Sequence, residues 1–359
     1  MKKIQVFTMA AMALMLGLSS CSEDNKGVEK PSAEKFNVTL SFKNAATRAD
    51  GAVAASGTKV QIVDGYICFV NSAKVITDVF TIGTAPTSGK NILNTDLGAT
   101  PVTLNDVPGA STEVYMVANK GTMAVVPTVG NNVLTYMESA MKVEDQSNYI
   151  KVTSSGNAPL LATSDVNKKT ATINLSTQVA RIQIKDIKFE GNIGGKIVGF
   201  YVNGYYPTMK INGAGIDEKS SMNAADYVAG SAIFPTTLST FVYDEINKDI
   251  AGTVTPANGV WGYNLFASKT PQIIIKLKDV TVNGQALSGE KFVTVNGFKN
   301  SSTSVSIDKL EGGMIYTVNT GALVIKPEHL TETPGVTPIS VDLTVVTVTW
   351  QETTVIPKL

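Results

Sequence analysis

Large apolar residues fall on alternate positions in two stretches near opposite ends of the chain. In Phe36-Asn37-Val38-Thr39-Leu40-Ser41-Phe42 every second side chain is large and apolar, with Asn, Thr and Ser between. This is the period of a strand with one face buried and one face wet. Ile339, Val341, Leu343 and Val345 repeat that period near the other end, separated by Ser340, Asp342 and Thr344. Beyond Val345 the parity moves to Val346, Val348 and Trp350, as a bulge or a second strand segment requires.

Strand-like runs continue between these ends at Lys59 to Val70, Glu113 to Val117, Thr170 to Leu175, Val179 to Phe189, Lys196 to Val202, Gln272 to Leu277, Lys291 to Val295 and Met314 to Val318. Clusters of Gly, Pro, Asn, Ser and Thr separate them. Asn-Gly recurs at Asn203, Asn212, Asn258, Asn283 and Asn296; both residues tolerate the positive φ of a tight turn, which predicts hairpins. Helical patterns are few, the best being Leu134 to Lys142 and Asn223 to Val228. Together the runs predict an all-β chain of two antiparallel β-sandwich domains, joined near Ser176 between the strands Thr170 to Leu175 and Val179 to Phe189.

Composition narrows the function. A length of 359 residues leaves room for two domains. Charged residues make up 17%, the net charge is zero, and no basic stripe marks a nucleic-acid surface. His329 is the sole histidine and Cys68 the sole cysteine past Cys21. No metal cluster, Cys-x-x-Cys pair or nucleophile-histidine dyad is therefore expected, and neither an enzyme nor a cofactor. Cys68, inside Tyr66-Ile67-Cys68-Phe69-Val70, reads as a buried inert thiol. Gly191-Asn192-Ile193-Gly194-Gly195-Lys196 lacks the spacing of a phosphate loop and reads as a hairpin turn. The aromatics Tyr201, Tyr205, Tyr206, Trp261, Tyr263 and Phe266 either fill a core or stack on sugars.

The first residues carry Lys2 and Lys3, an apolar run from Ile4 to Leu18, then Leu18-Ser19-Ser20-Cys21. That is an export signal, too short to read first as a spanning helix, ending in a lipobox whose Cys21 would be acylated. Ser22-Glu23-Asp24-Asn25 puts acidic residues directly after it. Polar residues without periodicity run on to about Lys35, as a tether does.

Of the 30 basic residues only Arg48 and Arg181 are arginines. Arg181 falls in the strand-like Val179-Ala180-Arg181-Ile182-Gln183-Ile184, whereas Arg48 stands in Lys43-Asn44-Ala45-Ala46-Thr47-Arg48-Ala49-Asp50-Gly51. Loops are cut and paired strands are not, so an arginine-specific protease would cut between Arg48 and Ala49. Composition alone leaves Arg48 equally readable as an ordinary surface residue. A cut there would free the strand bearing Phe36, Val38, Leu40 and Phe42 and open an apolar groove with unpaired backbone edges. The segment with Ile339, Val341, Leu343 and Val345 from another copy would refill it, giving head-to-tail growth.

Several stretches in this order resemble the Bacteroidales fimbrillin family, the subunits of type V pili. They are the lipobox Leu18 to Cys21; the strand and arginine of Phe36 to Arg48; Val114-Tyr115-Met116-Val117-Ala118-Asn119; Ala158-Pro159-Leu160-Leu161; Val179-Ala180-Arg181-Ile182; Tyr316-Thr317-Val318-Asn319; and the Val-rich terminal strand with Trp350. The resemblance implies transthyretin-like β-sandwiches, export as an outer-membrane lipoprotein precursor, and trimming at the cell surface. Carried onto this chain, Cys21 matches the lipidated cysteine, Arg48 the residue before the cut, and Ile339 to Trp350, including Val348, the donor strand. The parts become a signal peptide (1–21), a tether with removable strand (22–48), an N-terminal sandwich (49–176) and a C-terminal sandwich (177–359). The expected partners are other copies, fimbrial accessory subunits, an arginine-specific protease and, through the lipid, the outer membrane. Stalk rank is favoured over tip or anchor, and a monomeric surface glycan-binding lipoprotein is the alternative.

Overall fold

The structure is a computed structural model and describes residues 34–43, 62–84, 90–97, 101–120, 125–142, 154–177, 179–206, 208–213, 215–216, 242–257, 259–267, 269–335 and 338–347. Cys21, Arg48, Ala49, Val348, Trp350 and the predicted helix Asn223 to Val228 lie outside the described residues.

Strands, numbered in chain order, dominate what is described. One four-stranded sheet runs β5 (Val102–Pro108), β1 (Lys35–Lys43), β10 (Lys168–Asn174), β9 (Leu161–Ala162). A six-stranded sheet runs β11 (Ser176–Thr177), β8 (Ser154–Pro159), β6 (Glu113–Ala118), β2 (Gly65–Val70), β3 (Ile76–Gly83), β4 (Lys90–Leu93). Between these two sheets Phe36, Val38 and Leu40 pack with Ile67, Phe69, Met116 and Ile173 in one apolar cluster.

The largest sheet follows the path β17 (Val242–Asp249), β14 (Ile193–Asn203), β20 (Gln272–Val282), β22 (Lys291–Asn300), β25 (Ile339–Thr347), β23 (Met314–Val318), β12 (Val179–Ile184), β19 (Trp261–Phe266), with β21 (Gln285–Ala286) folded onto β20. This path doubles back on itself. Phe200 on β14 lies edge-on to Trp261 on β19, with ring centroids 5.1 Å apart, and the Tyr263 hydroxyl of β19 donates to Asp244 of β17 at 3.0 Å. Its two ends therefore face each other as the layers of a sandwich. Two small sheets complete the strands: β18 (Thr253–Val254), β13 (Ile187–Phe189), β24 (Val324–Ile325), and β16 (Gly215–Ile216), β15 (Thr208–Lys210), β7 (Ala140–Lys142).

The last of these sheets joins the early and late parts of the chain, since β7 pairs with β15. A third apolar cluster does the same, gathering Tyr66, Cys68, Val117 and Tyr136 with Val179, Met209, Phe266 and Ile315. Glu34–Leu359 is accordingly one compact unit. Cys68 is buried there as a free thiol, and burial alone pushes its pKa up to about 12.

Several expectations shift in the structure. The predicted helix Leu134 to Lys142 is a short α1 (Val133–Met137), capped by the Asn132 side chain on the Leu134 N–H at 2.8 Å, and then turns into β7. Pairing with β15 supplies a partner that local pattern does not show. Asn283-Gly284 is the expected tight turn, with φ of 50° and 78° between the paired Val282 and Gln285. Asn296-Gly297 is instead a bulge inside β22, where β25 lies so close that a Cβ on Gly297 would sit 2.2 Å from Ser340 Oγ. Gly191-Asn192 is a turn with two positive φ values, but it carries the chain from β13 to β14 in a different sheet and closes no hairpin. Nor is the pairing purely antiparallel, because β1 with β10, β3 with β4, β12 with β23, β13 with β24 and β22 with β25 run parallel.

At pH 8 a thiol with a pKa near 12 is ionised to about one part in ten thousand, and only the thiolate reacts. In a Cys21→Ser chain, folded protein is expected to resist thiol-labelling reagents at pH 8, whereas urea-unfolded protein labels within minutes; mass spectrometry of both samples reads the difference.

Candidate functional site

The two strands singled out by their period occupy corresponding places. β1 and β25 are each nine residues long, and each has an antiparallel neighbour on one flank and a parallel one on the other. For β1 the antiparallel neighbour is β5 and the parallel one β10, with Val38, Thr39 and Leu40 paired on both sides. Phe36, Val38 and Leu40 are 6%, 0% and 0% exposed, and Phe42 is half-buried at the end of the groove. Burying three such side chains is worth about 5–9 kcal/mol before ordering costs. Removing them would expose the cluster behind β1 together with two unpaired backbone edges.

The first residues of β1 are the most heavily held. The Gly109 N–H donates to the Glu34 carbonyl at 2.5 Å, and the Asn37 N–H donates to the Asn167 carbonyl at 2.8 Å. The turn behind Asn167 is shaped by Asp165, whose carboxyl is held below its usual range, first by the Asn167 N–H and then by Lys168. Lys35 lies 3.7 Å from Asp106, an exposed pair that contributes little. Lys169 sits on the inward face of β10 with its ammonium 3.9 Å from the centre of the Phe36 ring, while donating to the Ser111 carbonyl at 3.1 Å. Desolvation there lowers the Lys169 pKa. The far end of β1, toward Lys43, ends beside the segment that contains Arg48.

β25 is held differently. Its residues Ile339 to Leu343 pair with β22, and Leu343 to Thr347 pair with β23, so Leu343 alone is matched on both flanks. The strand crosses from one layer of the sandwich to the other at that residue. Val341 and Leu343 are buried and Ile339 is half-buried; Val345 pairs through its backbone with Tyr316. A transverse polar chain marks the crossing: Lys185 Nζ donates to Asn319 Oδ1, Asn319 Nδ2 donates to Thr344 Oγ1, and the Ser301 hydroxyl shares a bond with the same Thr344 oxygen.

Other candidates fall into structural roles. Arg181 is 5% exposed in β12, between β19 and β23, and donates to Asn264 Oδ1 at 3.1 Å. Tyr201, Tyr205, Trp261, Tyr263 and Phe266 are buried, and Tyr206 packs against the cluster shared by the early and late parts of the chain, so these aromatics build cores and present no sugar-stacking platform. His329 Nδ1 accepts the Lys326 N–H at 3.1 Å and caps its own turn. Among the described residues no three His, Cys, Asp or Glu side chains gather where they could hold a metal. Sequence reasoning missed Lys169: a lysine in the alternating run Lys169, Ala171, Ile173 looks like a rim residue, and its role depends on the partner strand.

No family profile matches the sequence, and no curated protein matches it. Solved structures do. A candidate cell adhesion protein from Bacteroides eggerthii aligns with a TM-score of 0.53 at 16% identity, over 89% of this chain and 97% of that one. A fimbrilin from Porphyromonas gingivalis aligns with a TM-score of 0.52 at 14% identity, over 88% of this chain and 99% of that one. At such identities the likeness is one of fold, and it runs through nearly the whole of both relatives. These two neighbours are described as a cell adhesion protein and a fimbrilin.

Leu343 is the pivot of β25, so truncating it opens a cavity where both ladders meet. Leu343→Ala is expected to cost about 2–5 kcal/mol, whereas Asp342→Ala, on the wet face, is expected to cost under about 0.5 kcal/mol; urea unfolding of the two variants measures both.

Proposed function

We propose that this chain is a structural subunit of a surface fimbria, of stalk type, which polymerises by strand exchange and supports adhesion. The observation that carries the proposal is β1: a strand with a buried apolar face, set between two neighbours, whose only link onward is the segment containing Arg48. Cleavage between Arg48 and Ala49 leaves β1 held by non-covalent contacts alone. Loss of β1 opens a groove that a strand with the same inward period can fill, and Ile339 to Val345 is such a strand. Val348 and Trp350 extend the donor on the shifted parity.

The pairing of β25 supports its role as donor. Leu343 alone is matched on both flanks in β25, where Val38, Thr39 and Leu40 are so matched in β1, so each half of β25 is tied to a neighbour on one flank only. Burial of Arg181 within a doubly paired strand supports selective cutting at Arg48. Within this reading Cys21 carries the lipid that brings the exported precursor to the outer membrane, and 49–176 and 177–359 are the two sandwich domains. The partners are further copies, accessory subunits and the arginine-specific protease.

Treating purified precursor with an arginine-specific protease tests the proposal. Ladders of heat-labile polymer are expected on gels from the native chain, and none from Arg48→Ala or from a chain ending at Pro338. Normal ladders from Arg48→Ala would overturn the trigger; normal ladders from the truncated chain would overturn the donor.

A further inference from the structure

We propose that Lys169 determines which strand the groove between β5 and β10 accepts, favouring one whose first inward residue is aromatic. This rests on the reading that β1 leaves its groove, and it concerns what takes its place.

The groove is not uniformly apolar. Its inward wall on β10 runs Lys169, Ala171, Ile173, and the register sets Val38 beside Lys169, Leu40 beside Ala171 and Phe42 beside Ile173. On the other wall Phe36 faces Val107 and Val38 faces Leu104. Three of these positions ask only for apolar bulk. The position of Phe36 also offers a cation, with Lys169 Nζ 3.9 Å from the ring centre and fixed by its bond to the Ser111 carbonyl. An ammonium over a ring face is attracted by the ring's quadrupole, and an aliphatic side chain offers it nothing comparable. An aliphatic side chain in that site leaves the ammonium partly desolvated against carbon.

Two consequences follow. First, Lys169 fixes register: sliding a strand by two residues keeps its inward face inward but puts Val38 under the ammonium in place of Phe36. Second, it ranks occupants. The segment Ile339 to Val345, laid in the groove in the same direction, puts Ile339 at the aromatic site and so fills the groove less well than β1 does. A second copy therefore enters once β1 has been lost, and an incoming subunit whose strand begins with Phe, Tyr or Trp outcompetes it. Phe36 is the inward residue of β1 farthest along the chain from Arg48, so peeling begins at Phe42 and the contact of Phe36 with Lys169 is the last to break.

Release of β1 tests this without relying on Arg48 or on polymer formation. A recognition sequence for an unrelated site-specific protease is inserted between Lys43 and Ile62 of the full chain, a fluorophore is placed ahead of Lys35, and loss of the labelled fragment after cutting is followed at rising urea until every variant releases. Lys169→Met and Phe36→Leu are each expected to speed release roughly three- to tenfold. The double variant should be no faster than Phe36→Leu alone, and Lys169→Arg should restore retention. An unchanged rate in Lys169→Met, or effects that simply multiply in the double variant, overturn the proposal. In a second arm, peptide Ile339 to Thr347 competes with its Ile339→Phe form for the cut protein. The Phe form should win severalfold on the native chain and lose that advantage on Lys169→Met; equal binding on the native chain overturns the proposal. Failure of Arg48→Ala to stop polymerisation would leave both arms unaffected.

Discussion

A strand in the interior of a sheet must satisfy the backbone groups of two neighbours at once, and a gap there exposes two edges. This requirement governs the placement of both ends of the chain. β1 closes the space between β5 and β10, and β25 closes the space between β22 and β23. Neither is an appendage: each supplies apolar side chains to a central cluster, Leu40 to one and Leu343 to another, both at 0% exposure. The sandwiches are built around these two strands, one early and one late among the described residues.

The two ends differ in how completely they are held. β1 is paired on both flanks along its middle, and its start is pinned by Gly109, Asn167 and Lys169. β25 trades one neighbour for the other at Leu343. The pattern on the sequence is nearly the same for both, so the difference arises from their neighbours.

Much of the fold was legible in alternation. Phe36 to Phe42 and Ile339 to Val345 are strands with the expected faces toward the core at Val38, Leu40, Val341 and Leu343, and Met314 to Val318 is β23 with the bounds read from its pattern. What was not legible depends on partners distant in sequence. Leu134 to Lys142 reads as a helix until β15 recruits its last three residues. Asn296-Gly297 reads as a turn until β25 presses Ser340 against it. Parallel pairing leaves no local mark, because a parallel partner cannot be joined by a tight turn and can lie more than a hundred residues away, as with Val38 and Lys169. At the candidate site the apolar faces were readable, whereas Lys169 and the staggered pairing of β25 were not, since both are properties of a pair.

The junction between the early and late parts of the chain has a mechanical meaning. Backbone pairing of Ala140–Lys142 with Thr208–Lys210, backed by Met209, Tyr136 and Phe266 in one cluster, ties the two cores with bonds and not with a linker. A load on one core therefore reaches the other through backbone hydrogen bonds and packed side chains.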